Sequence, residues 1–415
     1  MYKSSDEAAR MIFQTPTLGA EEVNALERID KLRSDLRYYV AEPRRWVGSV
    51  RRVLSARAIQ GSNSIEGYNV SVEDAIAAVG GEEPEEAVLV NRQAVLGYRR
   101  AMSYVIQLSN DEQFEYVPAL IRSLHFMMTE YSLDAGPGLW RSGPIWVRND
   151  ASGDVVYEGP SNDDVPQLVA ELVAQLGVDV DTPAMVRAAM AHLNLVMIHP
   201  FRDGNGRMAR CLQTLVLARE QILAQELCSI EEYLGRNTDA YYRVLAEVGQ
   251  GKWQPPGDAR PWVRFCLSAH YIQAASVLRR IRESELIWRE LDKMRQAYRL
   301  HERTLAALFD VAIGLRVKNG SYRTVLRQWD EEISIQVATT DLRTMVQAGL
   351  VRQHGHKRGT YYTASAAVGE IAARIRSERK AITAADLFTP REAATTEPQL
   401  PLGRSCGCLD DGFRV

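Results

Sequence analysis

Residues 199–210 read His-Pro-Phe-Arg-Asp-Gly-Asn-Gly-Arg-Met-Ala-Arg. Two apolar patterns meet here, because residues 184–198 are apolar on nearly every face and a second helical pattern runs onward from residue 208. Pro200 favours a helix end just before it, since the residue preceding a proline avoids the helical conformation. The segment therefore predicts a buried helix, a glycine-rich loop and a second helix, and with them a mainly α fold.

The composition indicates a folded protein without a strong charge bias. The chain has 415 residues, of which 46% are hydrophobic, and its formal net charge is -3. We therefore expect no global attraction to nucleic acid or to a membrane, and about two or three domains. No apolar run is long enough to span a bilayer, and five scattered cysteines do not suggest a disulfide framework. A cytoplasmic location is expected.

One β-hairpin is predicted between the helical stretches that run from about residue 21 to residue 299. Residues 145–147 and 155–157 are apolar or aromatic and flank a polar turn at 149–154. A two-stranded hairpin is marginal by itself, so it must lie against the helical body. The pattern leaves open whether it is a lid over a site or a plain connector.

A separate unit is predicted from about residue 304. Helical patterns cover 304–313, 322–329 and 337–348, and two strand-like runs flank a basic turn within 351–362. Three helices followed by a hairpin is the order of a winged helix, a variant of the helix-turn-helix. The residues after about 387 mix Pro, Thr, Glu and Gly with few apolar side chains, which predicts a disordered tail.

The glycine-rich loop has the composition of a phosphate site. Gly204-Asn205-Gly206 opens a helix, whose first backbone N–H groups have no partner within the helix and lie at its positive end. Arg207 and Arg210 stand three residues apart on that helix, so they share a face and repel each other unless an anion lies between them. The pattern therefore predicts a bound phosphate group.

His199 and Asp203 add a base and a carboxylate to the loop. An imidazole titrates near neutral pH and suits a general base for a hydroxyl nucleophile. A carboxylate oxygen of Asp203 could hold Mg²⁺ against the phosphates. Taken alone, either residue could simply cap a helix, and only the whole set favours catalysis.

Every fixed position of this segment resembles the signature of the Fic family, His-x-Phe-x-Asp/Glu-Gly-Asn-Gly-Arg-x-x-Arg. The likeness extends from roughly residue 51 to residue 280 and includes the segments 237–242 and 253–265. The resemblance implies a Fic-type helical core with a β-hairpin flap. It also implies transfer of AMP from ATP to a Ser, Thr or Tyr hydroxyl of a protein, with release of pyrophosphate.

The resemblance implies a functional role for each residue of this chain that matches a position of the family motif. His199 would be the base, Asp203 the Mg²⁺ ligand, Gly204, Asn205 and Gly206 the anion hole, and Arg207 and Arg210 the phosphate ligands. The resemblance also places Tyr241 and Tyr242 near the adenine or ribose, although both could equally be core aromatics. The hairpin would clamp the target backbone by strand addition.

A second segment, residues 62–67, resembles the family's inhibitory Ser/Thr-x-x-x-Glu-Gly/Asn motif. Ser62 and Glu66 lie four residues apart and so share one face of a helix, which ends at Gly67. The carboxylate would pair with Arg210 where the γ-phosphate belongs, and ATP would then bind unproductively. Taken alone, Glu66 would more often be a solvated helix end.

Four regions follow from these patterns. They are an N-terminal helical region with the inhibitory helix (1–100), a Fic catalytic core (101–285), a winged-helix-like domain (286–375) and the tail (388–415). The partners expected from the resemblance are a protein substrate, this chain included, and a second copy in a homodimer.

Two alternatives remain open on the sequence. The same scaffold could transfer phosphate to a protein or remove AMP from one. Alternatively, the chain could be a nucleotide-sensing transcription regulator whose winged helix binds DNA. The basic residues for DNA contact would be Arg343, Arg352, His354, His356, Lys357 and Arg358. Because 337–350 carries few basic residues, protein docking or packing is favoured over DNA binding for this unit.

Overall fold

In the computed structural model, the structure describes residues 12–41, 44–80, 88–148, 152–179, 181–220 and 229–389. This part of the chain is mainly helical and contains two antiparallel two-stranded hairpins, which confirms the predicted fold class. Several features noted in the sequence lie outside the described residues. They are positions 149–151 of the polar turn, Cys228, Cys406, Cys408 and the predicted tail from residue 390 onward. Cys211 and Cys266 are buried free thiols.

The elements follow one another along the chain in this order: α1 (Ala20–Ala41), α2 (Val47–Ile65), α3 (Val72–Val79), α4 (Leu89–Ser109), α5 (Pro118–Thr129), β1 (Trp146–Arg148), β2 (Val155–Glu158), α6 (Val165–Val178), α7 (Ala184–Ile198), α8 (Asn205–Arg219), α9 (Glu231–Arg236), α10 (Thr238–Gly249), α11 (Arg260–Ala297), α12 (Thr304–Ala312), α13 (Asn319–Arg327), α14 (Ile335–Gln347), β3 (Val351–His354), β4 (Tyr361–Ala364) and α15 (Ala366–Ser377). No helix of the described residues is long and apolar enough to cross a membrane.

Helices α7 and α8 form the buried centre, as predicted for the two sides of the glycine loop. Two polar side chains of α7, His192 and Asn194, form hydrogen bonds inside the core. Asn194 receives the backbone N–H of Phe13 at 2.8 Å and donates to its carbonyl at 3.0 Å. Trp262 of α11 donates its indole N–H to the carbonyl of Ala189 at 2.7 Å. These bonds fix α7, and with it the start of the loop.

The predicted hairpin is present, with β1 as its outer strand. Its register pairs Trp146 with Glu158 and Val147 with Tyr157, and a bulge follows Val147. The inner strand is anchored, because Tyr157 donates its hydroxyl to the carbonyl of Met197 at 2.8 Å. The segment after α10 lies along the other edge of β2, where Glu158 bridges Lys252. The hairpin therefore lies against the end of α7 and leaves β1 as an open edge.

Two glycines allow α2 to cross α9 in close contact. A Cβ added at Gly61 would lie 2.4 Å from the carbonyl oxygen of Glu231, and one at Gly235 would lie 2.6 Å from the Cα of Gly61. Only glycine tolerates such backbone proximity. The crossing places the last turn of α2 beside the start of α8.

The C-terminal elements follow the predicted order of three helices and a hairpin. The second helix, α13, begins three residues earlier than predicted, because the Lys318 backbone N–H donates to the Ser321 hydroxyl at 2.9 Å in a capping box. The third, α14, begins two residues early, with Ser334 as its N-cap. Helix α11 runs through residue 285, so the predicted boundary between the second and third regions falls inside it and stays a prediction.

Candidate active site

The loop between α7 and α8 is shaped by two left-handed residues and one side chain. His199 caps α7 with a φ of 51°, and Gly204 precedes α8 with a φ of 76°. Asn205 closes the loop, because its side chain receives the Phe201 backbone N–H and donates to the Phe201 carbonyl, both at 2.9 Å. The side-chain carboxamide of Asn205 thus holds the loop, and its backbone N–H lies in the first turn of α8, where the resemblance places the anion hole.

His199 has the tautomer that a general base needs. Its Nδ1 lies 3.0 Å from the carbonyl oxygen of Val196, an acceptor, so Nδ1 carries the proton in the neutral ring and donates it there. Nε2 is then left with its lone pair. Burial lowers the pKa of His199 below its ordinary value, although the Val196 carbonyl opposes this change. The imidazole is therefore neutral and ready to accept a proton at pH 7.

A second histidine, which the sequence analysis missed, supports the loop from α5. His125 stacks on Phe201 with ring centroids 3.6 Å apart. Its Nδ1 accepts the backbone N–H of Gly138 at 2.9 Å, so its Nε2 donates to the carbonyl of Asp203 at 2.8 Å. Burial lowers the pKa of His125 to about 4, which keeps this donor-acceptor pair intact at neutral pH. A histidine on an apolar helix gave no signal in the sequence.

Arg141, also missed, joins the loop to the hairpin. Its guanidinium donates to three carbonyls, those of His199 at 2.9 Å, Gly143 at 2.8 Å and Pro160 at 2.6 Å. Its backbone N–H donates to the carbonyl of Pro200 at 2.9 Å. One arginine therefore ties the loop between α7 and α8 to the segments just before β1 and just after β2. Its place in a glycine- and proline-rich stretch offered no periodic signal.

Arg210 is buried and is held by the end of α2. Its Nε donates to the Ser62 hydroxyl and its Nη2 to the Ser62 carbonyl, both at 2.8 Å. Nη2 also lies 2.7 Å from Oε1 of Glu66. Burial opposes the charge of Arg210, but Glu66 and nearby tyrosines outweigh burial and raise the pKa of Arg210 above its ordinary value. The two residues predicted four apart on α2 thus both contact Arg210.

Glu66 occupies the space over the N-terminus of α8. A Cβ added at Gly206 would lie 2.2 Å from Oε1 of Glu66 and 3.1 Å from Nη1 of Arg210. That Nη1 is buried without a hydrogen-bond partner among the described residues, and no side chain caps α8. An anion therefore has donors in this space, and the carboxylate of Glu66 is the group that stands there.

Arg207 lies on the other side of the loop between two tyrosines. Its guanidinium is 4.7 Å from the ring centre of Tyr68, and its Nη1 donates to the Tyr131 hydroxyl at 3.3 Å. Its Nη2 lies 3.7 Å from Oδ2 of Asp203. The side chain is fully buried, and its Nε and Nη2 have no hydrogen-bond partner within the described ranges. Nε and Nη2 are therefore the donors that Arg207 could offer to phosphate oxygens.

Asp203 suits Mg²⁺ as a single protein ligand. Its side chain is 52% exposed and points away from the core. No group of three or more His, Cys, Asp or Glu side chains able to hold a metal occurs among the residues that the structure describes. Mg²⁺ is commonly held by one or two carboxylates together with substrate phosphates, so Asp203 fits that arrangement.

The two tyrosines of α10 lie in different environments. Tyr241 is 1% exposed, and its hydroxyl donates at 3.0 Å to Nε2 of His192, whose Nδ1 donates to Gln213 at 2.6 Å. This position favours the packing alternative for Tyr241. Tyr242 is 47% exposed and donates to the carbonyl of Ile65 at 3.2 Å, next to Glu66.

The hairpin presents apolar side chains beside this site. Trp146 is 46% exposed, Val155 47% and Val156 40%. Within the described residues β1 pairs only with β2, so its other edge could bind an extended peptide. Together, the base, the anion site and the strand edge can bring a peptide hydroxyl toward a bound phosphate.

Comparisons with known proteins match this geometry. Residues 115–217 match the model of the Fic/DOC family. The chain is 28% identical over 215 residues to "Protein adenylyltransferase Fic" of Nematostella vectensis, covering 49% of this chain and 44% of that protein. It is 36% identical over 116 residues to "Protein adenylyltransferase fic-1" of Caenorhabditis briggsae, covering 26% of this chain and 20% of that protein. The chain thus spans less than half the length of both relatives.

Two solved structures share the fold. A Fic family protein from Desulfovibrio desulfuricans superimposes with a TM-score of 0.55 at 21% identity, over 85% of this chain and 99% of that chain. A Fic domain containing signaling protein from Bacteroides thetaiotaomicron superimposes with a TM-score of 0.51 at 20% identity, over 61% of this chain and 98% of that chain. At these identities the similarity shows the fold alone.

Proposed function

This chain carries a Fic/DOC-family domain over residues 115–217, and we propose that it transfers AMP from ATP to a Ser, Thr or Tyr hydroxyl of a protein, this chain included. The observation that carries the proposal is the pairing of a neutral His199, which is protonated on Nδ1, with two buried arginines on the adjoining helix α8 that have unpaired donors among the described residues. The names of the relatives support the same chemistry.

The proposed reaction assigns one step to each group of residues in and after the loop. Nε2 of His199 takes the proton of the target hydroxyl, whose oxygen forms a bond to the α-phosphorus of ATP. The bond from that phosphorus to the bridging oxygen breaks, and pyrophosphate leaves. Arg207, Arg210 and the N-terminus of α8 stabilise the phosphate charges during this transfer. Asp203 would hold Mg²⁺, which supplies further charge neutralisation when it is bound.

Glu66 is proposed as the inhibitor of this reaction. Its carboxylate is 2.7 Å from Arg210 and lies over Gly206. A γ-phosphate that binds Arg210 must therefore displace it, and while the ion pair persists the triphosphate binds in another pose. Ser62 holds the other side of the same guanidinium, so the end of α2 acts as one inhibitory segment.

We also propose that the chain divides into three regions: an N-terminal region (1–100), a Fic core (101–285) and a winged-helix-like unit (286–375). The order α12, α13, α14, β3 and β4 supports the last of these. Helix α14 contains a single basic residue, Arg343. We therefore favour protein docking or packing over DNA binding for this unit.

Intact mass after incubation with ATP and Mg²⁺ tests the chemistry and the inhibition together. We expect Glu66→Gly to gain the mass of AMP to a much greater extent than the wild type, because Arg210 becomes available. The double variant Glu66→Gly/His199→Ala should gain nothing while still binding ATP. Glu112→Gly, an exposed turn residue, is the matched control and should behave as the wild type.

Two outcomes would contradict these proposals. A gain of the mass of phosphate would replace AMP transfer by phosphate transfer. Equal modification of wild type and Glu66→Gly would remove Glu66 from its inhibitory role while leaving the transfer chemistry in place.

A further inference from the structure

A cluster of arginines surrounds one buried carboxylate on α9, away from the catalytic loop. Glu232 receives two hydrogen bonds from Arg280, both at 2.6 Å. Its Oε1 also lies 2.7 Å from Arg236 and 3.5 Å from Arg57, which lies on α2. Three guanidinium groups therefore share a single negative charge.

The cluster continues along α11 to the end of α15. Arg379 binds Glu283 through two hydrogen bonds, of 2.7 and 2.5 Å. Arg279 lies 3.9 Å from the same carboxylate. Arg376 forms no ion pair within 4.0 Å among the described residues. The basic cluster thus consists of six arginines, Arg57, Arg236, Arg279, Arg280, Arg376 and Arg379, around the two carboxylates of Glu232 and Glu283.

Among the described residues, only the carboxylates of Glu232 and Glu283 form ion pairs with the six guanidinium groups of the basic cluster, and Arg279 also donates to the carbonyl of Lys380 at 2.8 Å. The Nε atoms of Arg57, Arg279 and Arg376 are buried without a hydrogen-bond partner in the described part of the chain. Burial lowers the pKa of each of these three arginines, and the charges of neighbouring arginines lower it further. Converging guanidinium groups with unused donors are the arrangement that binds phosphate groups.

The basic cluster is open to solvent and separate from the loop. The side chain of Arg236 is 59% exposed, that of Arg379 38% and that of Arg279 32%. Arg57 and Glu66 are nine residues apart, which corresponds to about 14 Å along the axis of α2. A ligand at the cluster would therefore not occupy the space over Gly206.

We propose that the basic cluster is a second anion-binding site, for a compact ligand with several negative charges such as a di- or triphosphate group. The arginines gather around two neighbouring carboxylates, and Arg57 lies within electrostatic reach of both Arg280 and Arg376. This grouping favours a compact anion over the extended backbone of a nucleic acid. The proposal concerns binding alone and does not depend on the transferase activity.

Calorimetric titration with inorganic tripolyphosphate tests this site on the full chain. We expect two binding events in the wild type, one at the catalytic loop and one at the cluster. Arg57→Gln/Arg376→Gln should weaken one event at least roughly ten-fold, because two charged hydrogen-bond donors are lost. The control Arg37→Gln/Arg327→Gln removes the same charge from exposed positions elsewhere and should keep both events. Thermal melting verifies that each variant is folded.

Three results would overturn the proposal. The first is a titration of Arg57→Gln/Arg376→Gln that superimposes on that of the wild type. The second is a single event in the wild type that weakens in Arg210→Gln and not in the cluster variant. The third is binding of duplex DNA that needs Arg57 and Arg376 while tripolyphosphate does not bind there, which would assign the cluster to nucleic acid instead.

Discussion

At His125, a neutral imidazole holds the loop between α7 and α8 in place through one accepted and one donated hydrogen bond. The acceptor, Nδ1, is lost when the ring is protonated, because both ring nitrogens are then donors. The Gly138 N–H would face a second N–H, and the charged ring would be buried against Phe201. The geometry of the loop therefore depends on a ring that resists protonation well below neutral pH.

This dependence predicts a loss of stability in acid. The pKa of His125 is about 4 in the folded protein, against an ordinary value of 6.5. Between pH 6.5 and pH 4 the ring binds a proton in the unfolded chain but not in the folded chain. The stability is therefore fully present above pH 6.5 and decreases as the pH is lowered through this range. From pH 7 to pH 5 this residue should remove about 2 kcal/mol from the free energy of unfolding.

Urea unfolding at the two pH values measures this loss. His125→Gln, which keeps a donor and an acceptor without a titratable ring, should be less stable at pH 7 but lose about 2 kcal/mol less than the wild type on acidification. His356→Gln, on the exposed turn between β3 and β4, controls for the removal of a histidine elsewhere. If the wild type and His125→Gln lost the same free energy of unfolding between pH 7 and pH 5, the ring of His125 would take up a proton in the folded protein as readily as in the unfolded chain.

The residues that could be identified from sequence are those whose chemistry is concentrated locally. His199 and Arg210 lie within twelve residues of each other, and Glu66 belongs to a second compact motif. Arg141 and His125 could not be identified, because their partners are backbone carbonyls and amides brought near by tertiary folding. Backbone partners leave no residue type to recognise.

At the scale of elements, the sequence locates a helix well where a continuous apolar pattern ends at a proline or glycine. It does not locate the boundary between two regions where neither residue marks it. Helix α7 spans the predicted residues because an apolar run ends at a proline. Helix α11 runs for 38 residues, and no glycine or proline after its first turn marks where one region ends and the next begins. Sequence pattern locates helices, whereas contacts between distant helices decide which of them pack together.

The crossing of α2 and α9 gives a prediction about element packing. Gly61→Ala places a methyl group 2.4 Å from the carbonyl oxygen of Glu231, so the helices must separate. We expect a loss of about 1–3 kcal/mol in the free energy of unfolding from this overpacking. Chemical denaturation followed by circular dichroism would measure it.

Gly369→Ala is the matched control, because nothing lies within 4 Å of the added methyl group on α15. It should stabilise the protein by about 0.5–1 kcal/mol through the better helix propensity of alanine. A stabilising or neutral Gly61→Ala would mean that the two helices are not in close contact.

At the scale of the whole molecule, α11 connects the two ends of the fold. Its first half packs on α7 through Trp262, and its second half binds Arg379, just beyond α15, through Glu283. The C-terminal unit also contacts α2 directly, where Arg52 lies 3.0 Å from Asp310. Burial raises the pKa of Asp310 even though Arg52 lowers it. These connections predict that the described regions unfold together.

Removing one member of this ion pair should therefore destabilise the whole chain. We expect Arg52→Met to cost roughly 3 kcal/mol, because Asp310 is left buried without its charged partner, and to shift one cooperative transition. Arg52→Met/Asp310→Leu should cost less than the two single variants together. Tryptophan fluorescence and circular dichroism during urea unfolding would test this expectation, and separate transitions or additive losses would contradict it.

Arg141 has a consequence for how a target would be recognised. Because one guanidinium holds the carbonyl of His199 and the carbonyls that flank the hairpin, Arg141 ties β1 to the residue that we propose as the base. A peptide that docks on β1 in a tilted register would therefore also shift the imidazole relative to the hydroxyl. Discrimination between targets would then appear in the rate of the chemical step, and two peptides of equal affinity would be modified at different speeds.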